Sequence, residues 1–188
     1  MNNIKNYFDF ISNFDWKNNS IDLCHNVLLV GTVISSKPTN ILELGIGSGY
    51  VTKSLLHAIR YNGIGKLTTV DNFHDGPIDG LVNELKEMGA NVCAPITEEK
   101  FVRSAKTDEY DLLVSDADHT HSGEWVEEIY RIVKPNGIMF FHDIFYTESV
   151  NRYLKMAIST NRPHFVFNSS SRPNEECTNG WLMVKNTK

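Results

Sequence analysis

A glycine-rich segment, Glu43-Leu44-Gly45-Ile46-Gly47-Ser48-Gly49, has the residue types and the spacing to hold a ligand on the main chain. Glycine at every second position allows backbone angles that other residues resist, and it lets a ligand lie directly against the backbone. A dinucleotide-binding turn, G-x-G-x-x-G, would place its third glycine where this chain has Tyr50. One or two glycines would suffice for a tight turn, so three favour a binding turn. The predicted ligand-binding residues are Glu43, Gly45, Gly47, Ser48 and Gly49.

Asp71 and Asn72 lie at the end of the second short apolar segment, KLTTVD, and form a second candidate binding position. An acidic side chain at the end of the second strand can accept hydrogen bonds from both ribose hydroxyls of an adenosine ligand. The alternative is a carboxylate that caps a helix or a loop. The position of Asp71 relative to the glycine-rich turn favours binding to the ribose. Asp71 therefore indicates an adenosine ligand without identifying it.

Two aspartates follow neighbouring strands of the predicted sheet. Asp116 ends the fourth predicted strand, and Asp143 ends the fifth. Neighbouring strands lie about 4.8 Å apart and ligands collect beyond their carboxyl ends, so we expect the two carboxylates to converge. Two close carboxylates repel each other unless a proton or a cation lies between them, and a divalent ion with oxygen ligands is the natural solution. The alternative is that each aspartate caps the helix that follows it.

The predicted elements that position these residues alternate between strand and helix. This alternation predicts an α/β fold with a Rossmann-like, doubly wound, mostly parallel seven-stranded sheet. Only a polar loop joins the last two strands, and such a loop cannot form a helical crossover, so we expect an antiparallel C-terminal strand. The predicted strands are 41–45, 66–71, 91–96, 110–116, 137–143, 164–168 and 180–185, and the predicted helices are 4–14, 20–36, 50–61, 78–88, 98–106, 122–133 and 148–159.

Length and composition predict a single globular domain. The 188 residues suffice for one core, with N-terminal helices in residues 1–36 and a Rossmann-like core in residues 37–188. With 18 basic against 23 acidic residues, the net charge of -5 provides no general positive field, so we expect neither nucleic acid nor membrane as a partner. The first ten residues lack the pattern of a secretory signal, which predicts a cytoplasmic protein. The oligomeric state stays open, with a homodimer among the options.

The pattern E-x-G-x-G-x-G at Glu43 to Gly49 resembles motif I of class I S-adenosylmethionine (SAM)-dependent methyltransferases. Their ligand has no pyrophosphate and rests its amino-acid and ribose parts on this turn. The sequences D-A-D-H at 116–119 and H-D at 142–143 resemble the metal-dependent O-methyltransferases, both the catechol and caffeoyl-CoA type and the related group that acts on sugars and antibiotics. The resemblance covers about residues 22–185.

This resemblance implies roles for individual residues. In those families an Asp after strand four and an acidic pair after strand five bind the metal, and a Lys or His three positions after the first Asp takes the substrate proton. By that resemblance Asp116, which also borders the cofactor, and Asp143 bind a divalent metal such as Mg²⁺ or Mn²⁺, and His119 is the catalytic base. His142 stands where those families have an acidic residue, so it is either a metal ligand that suits Mn²⁺, Fe²⁺ or Zn²⁺ better than Mg²⁺, or a core residue. The usual adenine contact after strand three is absent, and Thr97 or Glu98, which follow that strand here, is the candidate for adenine recognition.

The leading hypothesis is an enzyme that moves a methyl group from SAM to a hydroxyl oxygen of a small molecule, assisted by a divalent metal. One alternative is an NAD-linked oxidoreductase, which would bind NAD and not SAM. Another is a non-catalytic SAM-binding module. The grouping of Asp116, His119 and Asp143 argues against that module, because binding alone needs no such cluster.

Overall fold

The computed structural model describes residues 23–74, 76, 78–167 and 180–188, and the predicted helix 4–14 lies outside them. Among these residues no helix has both the length and the apolar character needed to cross a membrane. The strands are β1 (Asn40–Leu44), β2 (Lys66–Val70), β3 (Asn91–Cys93), β4 (Tyr110–Ser115), β5 (Val133–Phe141), β6 (His164–Phe167) and β7 (Trp181–Lys185). The helices are α1 (Leu23–Ser36), α2 (Tyr50–Asn62), α3 (Leu81–Glu87), α4 (Glu98–Ser104), a 3-10 helix (Ser122–Trp125), α5 (Val126–Ile132) and α6 (Glu148–Ser159).

The seven strands form one sheet in the order β3-β2-β1-β4-β5-β7-β6. The first five strands are parallel, while β7 is antiparallel to both of its neighbours, β5 and β6. This arrangement confirms the predicted Rossmann-like sheet with an antiparallel C-terminal strand. The strand order reverses between β1 and β4, and in open α/β sheets ligands bind beyond the carboxyl ends of the strands at that point.

Two apolar clusters cover the two faces of the sheet. Successive residues of a strand point to opposite faces, so Ile41 and Leu42 belong to different clusters, as do Phe140 and Phe141. Helices α1, α2 and α3 supply the apolar residues of one cluster, and α4, α5 and α6 supply those of the other. Burial of the sheet on both faces fixes the strands, and thereby fixes the loops at their carboxyl ends.

Several predicted boundaries differ from the structure, and each difference has a local cause. Strand β3 ends at Cys93 rather than at residue 96, because Pro95 has no N–H to continue the ladder. The predicted helix 122–133 divides into the 3-10 helix and α5, and β5 begins directly after it at Val133. Its register with β4 shifts between Tyr110 and Leu112, which accommodates the Lys134-Pro135-Asn136-Gly137 segment.

Candidate active site

The glycine-rich turn connects β1 to α2 at the carboxyl edge of the sheet. Gly45 has φ +93° and Gly47 has φ +49°, in the left-handed region that favours glycine. A Cβ atom added at Gly45 would overlap the main-chain carbonyl of Asp116, whereas the space beside Gly47 is open for at least 4 Å. The turn therefore touches the end of β4 on one side and presents bare backbone on the other. Gly47 and Ser48 are the exposed part of the turn.

The Asp71 carboxylate binds the glycine-rich turn directly. Its Oδ2 accepts hydrogen bonds from the main-chain N–H groups of Ile46 at 2.7 Å and Gly47 at 3.3 Å, and its Oδ1 accepts one from Phe73 at 2.6 Å. Asp71 therefore caps a loop, which is the alternative role that the sequence left open. It does not exclude the ribose, because each carboxylate oxygen can accept a further bond. The neighbouring Asn72 is exposed and accepts a hydrogen bond from His74 N–H at 2.9 Å.

Glu43 lies beneath the turn, on β1, with only 1% of its surface exposed. Its Oε2 accepts a hydrogen bond from the Thr52 hydroxyl at 2.7 Å. Burial raises the pKa of Glu43 to about 8, so the carboxyl group is mostly protonated at neutral pH. A buried, largely neutral side chain supports the turn from below and does not line its open side.

The segment after β3 starts a helix. Thr97 is the N-cap of α4, and its hydroxyl accepts a hydrogen bond from Lys100 N–H at 3.3 Å. The next residue, Glu98, is buried beside Trp125, and burial raises the pKa of its carboxyl to about 7. Contact of either residue with adenine stays a prediction.

Four side chains meet beyond the ends of β4 and β5: Asp116, His119, His142 and Asp143. Nδ1 of His142 lies 2.8 Å from Asp116 Oδ1 and 3.3 Å from Asp143 Oδ1. Nε2 of His119 lies 3.3 Å from Asp116 Oδ1 and 3.2 Å from Asp143 Oδ2. One donor atom from each of the four residues lies within 4.8 Å of the others, which satisfies the predicted convergence of the two strand ends.

Main-chain contacts hold this cluster in place. The N–H of Asp116 donates to Leu44 O at 2.8 Å, and the N–H of His142 donates to Ser115 O at 2.9 Å, so the strand ends stay paired up to the cluster. Asp143 has φ +54°, an uncommon value for a residue with a side chain. The Thr147 hydroxyl, which caps α6, donates a short hydrogen bond to the carbonyl of His119.

The charges of the cluster are strongly coupled. Burial by itself would raise the pKa of Asp116, but the imidazoles of His142 and His119 outweigh it and hold that pKa well below its usual range. The carboxylates of Asp116 and Asp143 raise the pKa of His119 to about 10. Without a cation, a proton on His119 therefore neutralises part of the carboxylate charge at neutral pH. The donor set suits a divalent cation, which would supply that positive charge between the same oxygens.

His142 has a packed ring as well as a contact with the cluster. Its side chain is 1% exposed, and the ring meets Trp181 edge to face, with centroids 5.1 Å apart. His25 lies on the same aromatic group, 5.0 Å from Trp181 and 6.2 Å from His142. His142 is therefore buried like a core residue, but its Nδ1 faces the two carboxylates instead of pointing away from them.

Two aromatic residues at the site escaped the sequence analysis. Tyr146 is 61% exposed, and its ring lies 5.7 Å from the ring of His119 in an edge-to-face contact. The sequence feature that could have indicated Tyr146 is an aromatic residue three positions after Asp143. Trp181 is fully buried behind His142, and no local pattern connects it with a residue so far away in the chain.

The sequence matches a family model described as a methyltransferase domain over residues 42–144, which is more than half of the chain. The matched segment runs from β1 to just beyond Asp143, so it includes the glycine-rich turn, Asp71 and the four-residue cluster. The chain belongs to this methyltransferase-domain family. A search of the curated proteins found no match.

Solved methyltransferases, two O-methyltransferases among them, have a similar fold. TomG from Streptomyces achromogenes, an O-methyltransferase involved in tomaymycin synthesis and solved with SAM, is 15% identical, with a TM-score of 0.70 over 100% of this chain and 91% of that one. The Bacillus cereus O-methyltransferase in complex with S-adenosylhomocysteine (SAH) is 13% identical, with a TM-score of 0.68 over 98% and 90% of the two chains. The SAH-bound methyltransferase PaMTH1 of Podospora anserina is 11% identical, with a TM-score of 0.60 over 97% and 86%.

Family and fold together define the class of the protein as a SAM-dependent methyltransferase of the class I fold. This class agrees with the resemblance seen in the sequence. The roles of individual site residues stay predictions at this point.

Proposed function

We propose that the protein transfers the methyl group of SAM to a hydroxyl oxygen of a small molecule, with a divalent cation at Asp116 and Asp143 and with His119 as the base. The observation that carries this proposal is the contact between two sites. Gly45 of the glycine-rich turn packs directly against the main chain of Asp116, so a ligand on the turn borders the cluster. The O-methyltransferase neighbours, two of them solved with SAM or SAH, support the same donor and the same type of acceptor.

The proposed SAM site follows the edge formed by β1, β2, β3 and β4. The open backbone at Gly47 and Ser48 would face the amino-acid part of SAM, and Asp71 would bind the ribose while it holds the turn. Thr97 borders the proposed adenine end. The residues proposed to contact SAM are Gly45, Gly47, Ser48, Gly49, Asp71, Asn72, Thr97 and Asp116, while the buried Glu43 would support the turn from beneath.

The proposed chemistry assigns one task to each residue of the cluster. A hydroxyl group is a poor nucleophile until its proton leaves, and a general base near the acceptor removes that proton. His119 is the most exposed member of the cluster, with 29% of its side chain accessible, so an acceptor can approach it. A divalent cation would supply Lewis-acid stabilisation of the negative charge on the acceptor oxygen. Asp116 and Asp143 would hold that cation, and their carboxylates orient His119.

The two alternatives from the sequence predict other behaviour. An NAD-linked oxidoreductase is disfavoured by membership of the methyltransferase-domain family. A SAM-binding module without catalysis would bind SAM and transfer nothing. The cluster disfavours the module, because four titratable groups around one point are costly to maintain without a use.

The test combines ligand binding with methyl transfer. Calorimetry of the purified protein should detect SAM and SAH but not NAD. Transfer of labelled methyl from SAM to a panel of phenols, catechols and sugars should be abolished by EDTA, while SAM affinity is retained. Asp143→Ala should do the same, and Asp108→Ala, which removes a carboxylate at the opposite edge of the sheet, should retain transfer. Full transfer in EDTA would contradict the requirement for a divalent cation, and binding of NAD instead of SAM would contradict the proposal as a whole.

A further inference from the structure

The side chain of His142 distinguishes this cluster from the all-oxygen sites of the metal-dependent O-methyltransferases that the sequence resembles. On the basis of the proposed function, which places a divalent cation at this cluster, we infer that His142 Nδ1 is a metal ligand and that the site therefore selects Mn²⁺, Fe²⁺, Co²⁺ or Zn²⁺ over Mg²⁺.

Packing leaves the His142 ring little freedom to leave the cluster. The side chain is 1% exposed and lies against Trp181, which is itself fully buried. His25, also buried, packs on the same tryptophan. A rotation that removed Nδ1 from the carboxylates would have to displace these rings, and close-packed interiors resist such changes. The nitrogen is thus pre-positioned toward the two carboxylates.

The donor atoms identify the class of metal. Mg²⁺ requires near-octahedral oxygen ligands and keeps several waters, whereas imidazole nitrogen suits first-row transition ions. Asp116 and Asp143 supply two negative charges, which balance a divalent ion, and His142, which gives up its Nδ1 proton when it binds the ion, adds a nitrogen donor without further charge. The resulting set of one imidazole and two carboxylates leaves coordination positions for an acceptor oxygen and water.

His119 is the less suitable of the two histidines for permanent ligation. Its side chain is 29% exposed, against 1% for His142, and it lies on the loop after β4 rather than in the packed core. Its ring contacts the exposed Tyr146 instead of a buried aromatic group. The two histidines can therefore be separated by experiment, since His142 should control metal binding and His119 should not.

The experiment measures metal binding directly, without methyl transfer. Protein stripped with EDTA is titrated with Co²⁺, whose visible absorption reports its ligands, and with Mn²⁺, Zn²⁺ and Mg²⁺ by calorimetry. The wild type should bind Co²⁺ and Mn²⁺ more tightly than Mg²⁺. His142→Ala should weaken Co²⁺ binding by roughly 10- to 100-fold or more. His142→Asp should restore an oxygen-rich site and shift the preference toward Mg²⁺.

Two further variants serve as controls. His119→Ala should keep the Co²⁺ affinity, and so should His121→Ala, which removes a histidine that pairs with Asp118 outside the cluster. SAM affinity and the melting temperature of each variant verify that it is folded. If His142→Ala does not fold, the comparison of His142→Asp with the wild type tests the inference alone.

The outcomes separate this inference from the proposed function. Mg²⁺ binding as tight as that of Co²⁺ to the wild type, an unchanged Co²⁺ affinity in a folded His142 variant, or no metal binding at all would overturn the inference. Methyl transfer that requires Mg²⁺ would support the function and contradict the inference. The expected metal selectivity without any methyl transfer would support the metal site and contradict the function.

Discussion

At the residue scale, His119 has a position that depends on two carboxylates. Its Nε2 lies within 3.3 Å of both Asp116 and Asp143, and their negative charge raises its pKa to about 10. A base must be unprotonated to accept a proton, so a cation that shares the same carboxylates would release His119 for this task. Removal of such a cation should then impair both the stabilisation of the acceptor oxygen and the removal of its proton by His119.

The expected effect of His119→Ala follows from that role. The rate of methyl transfer should fall by roughly 10²- to 10⁴-fold at neutral pH, with unchanged SAM affinity, because the acceptor would lose its proposed general base. The loss should shrink as the pH rises and the acceptor ionises without help. A pH–rate profile with labelled SAM measures this, with His121→Ala as the control. A near-normal rate over the whole pH range would show that another group takes the proton.

At the element scale, the glycine-rich turn joins the end of β1 to the end of β4. The backbone angle of Gly45 and its contact with the Asp116 carbonyl both require the absence of a side chain. Gly47 has a positive φ as well, but the space beside it is open. The two positions therefore separate the effect of a steric overlap from that of backbone strain.

Gly45→Ala should destabilise the fold far more than Gly47→Ala. The first change forces the turn away from the Asp116 carbonyl at the end of β4, which should lower the melting temperature strongly. The second meets no protein atom within 4 Å, so without ligand it should cost only the strain of a left-handed alanine, about 1 to 2 kcal/mol in stability. Thermal unfolding without SAM measures both effects. Equal losses of melting temperature in the two variants would contradict the close contact between the turn and the end of β4.

At the element scale the sequence also predicted the elements more accurately than their boundaries. Strand-helix alternation predicted the sheet and its antiparallel end, because buried strands and amphipathic crossovers have distinct periods. The boundaries were less accurate at β3 and at the start of β5. There the ends depend on Pro95 and on a register shift against β4, which involve hydrogen bonds between separate segments.

At the scale of the whole molecule, a carboxyl group buried in the sheet connects stability to pH. Glu43 is 1% exposed, and burial raises its pKa from 4.5 to about 8. The folded state thus holds this proton more tightly than the unfolded state. The contribution to stability is fully present below about pH 4.5 and is lost as the pH rises through about 8.

Glu43→Gln should remove this pH dependence, because glutamine is neutral at every pH and its amide group can still bond to the Thr52 hydroxyl. The stability of the variant relative to the wild type should increase from pH 5 to pH 8, by at most about 1.4 kcal/mol per pH unit. Urea unfolding at several pH values measures this. The exposed Glu127→Gln is the matched control, and a difference that stays constant with pH would contradict a buried, neutral Glu43.

The domain organisation, the oligomeric state and the cellular location also belong to the scale of the whole molecule. Within the described residues, two apolar clusters cover the two faces of one sheet, as expected for a single Rossmann-like unit. The single domain over residues 1–188, the homodimer and the cytoplasmic location remain predictions. Cooperative unfolding and the mass in solution would test the first two.

The sequence by itself determined the class of fold, the glycine-rich turn and the pair of strand-end aspartates. These features are encoded locally, because apolar periodicity sets strand and helix and because glycine spacing sets a turn. The convergence of Asp116 and Asp143 also followed, since the carboxyl ends of neighbouring parallel strands must meet at one edge of a sheet.

Only the tertiary structure decided how each side chain is used. It placed Asp71 on the N–H groups of the turn, buried Glu43 beneath it and turned His142 toward the carboxylates while packing its ring on Trp181. Each of these outcomes depends on residues far apart in the chain. Their separation is set by the packing of strands and helices, and local sequence patterns do not encode distances between distant segments.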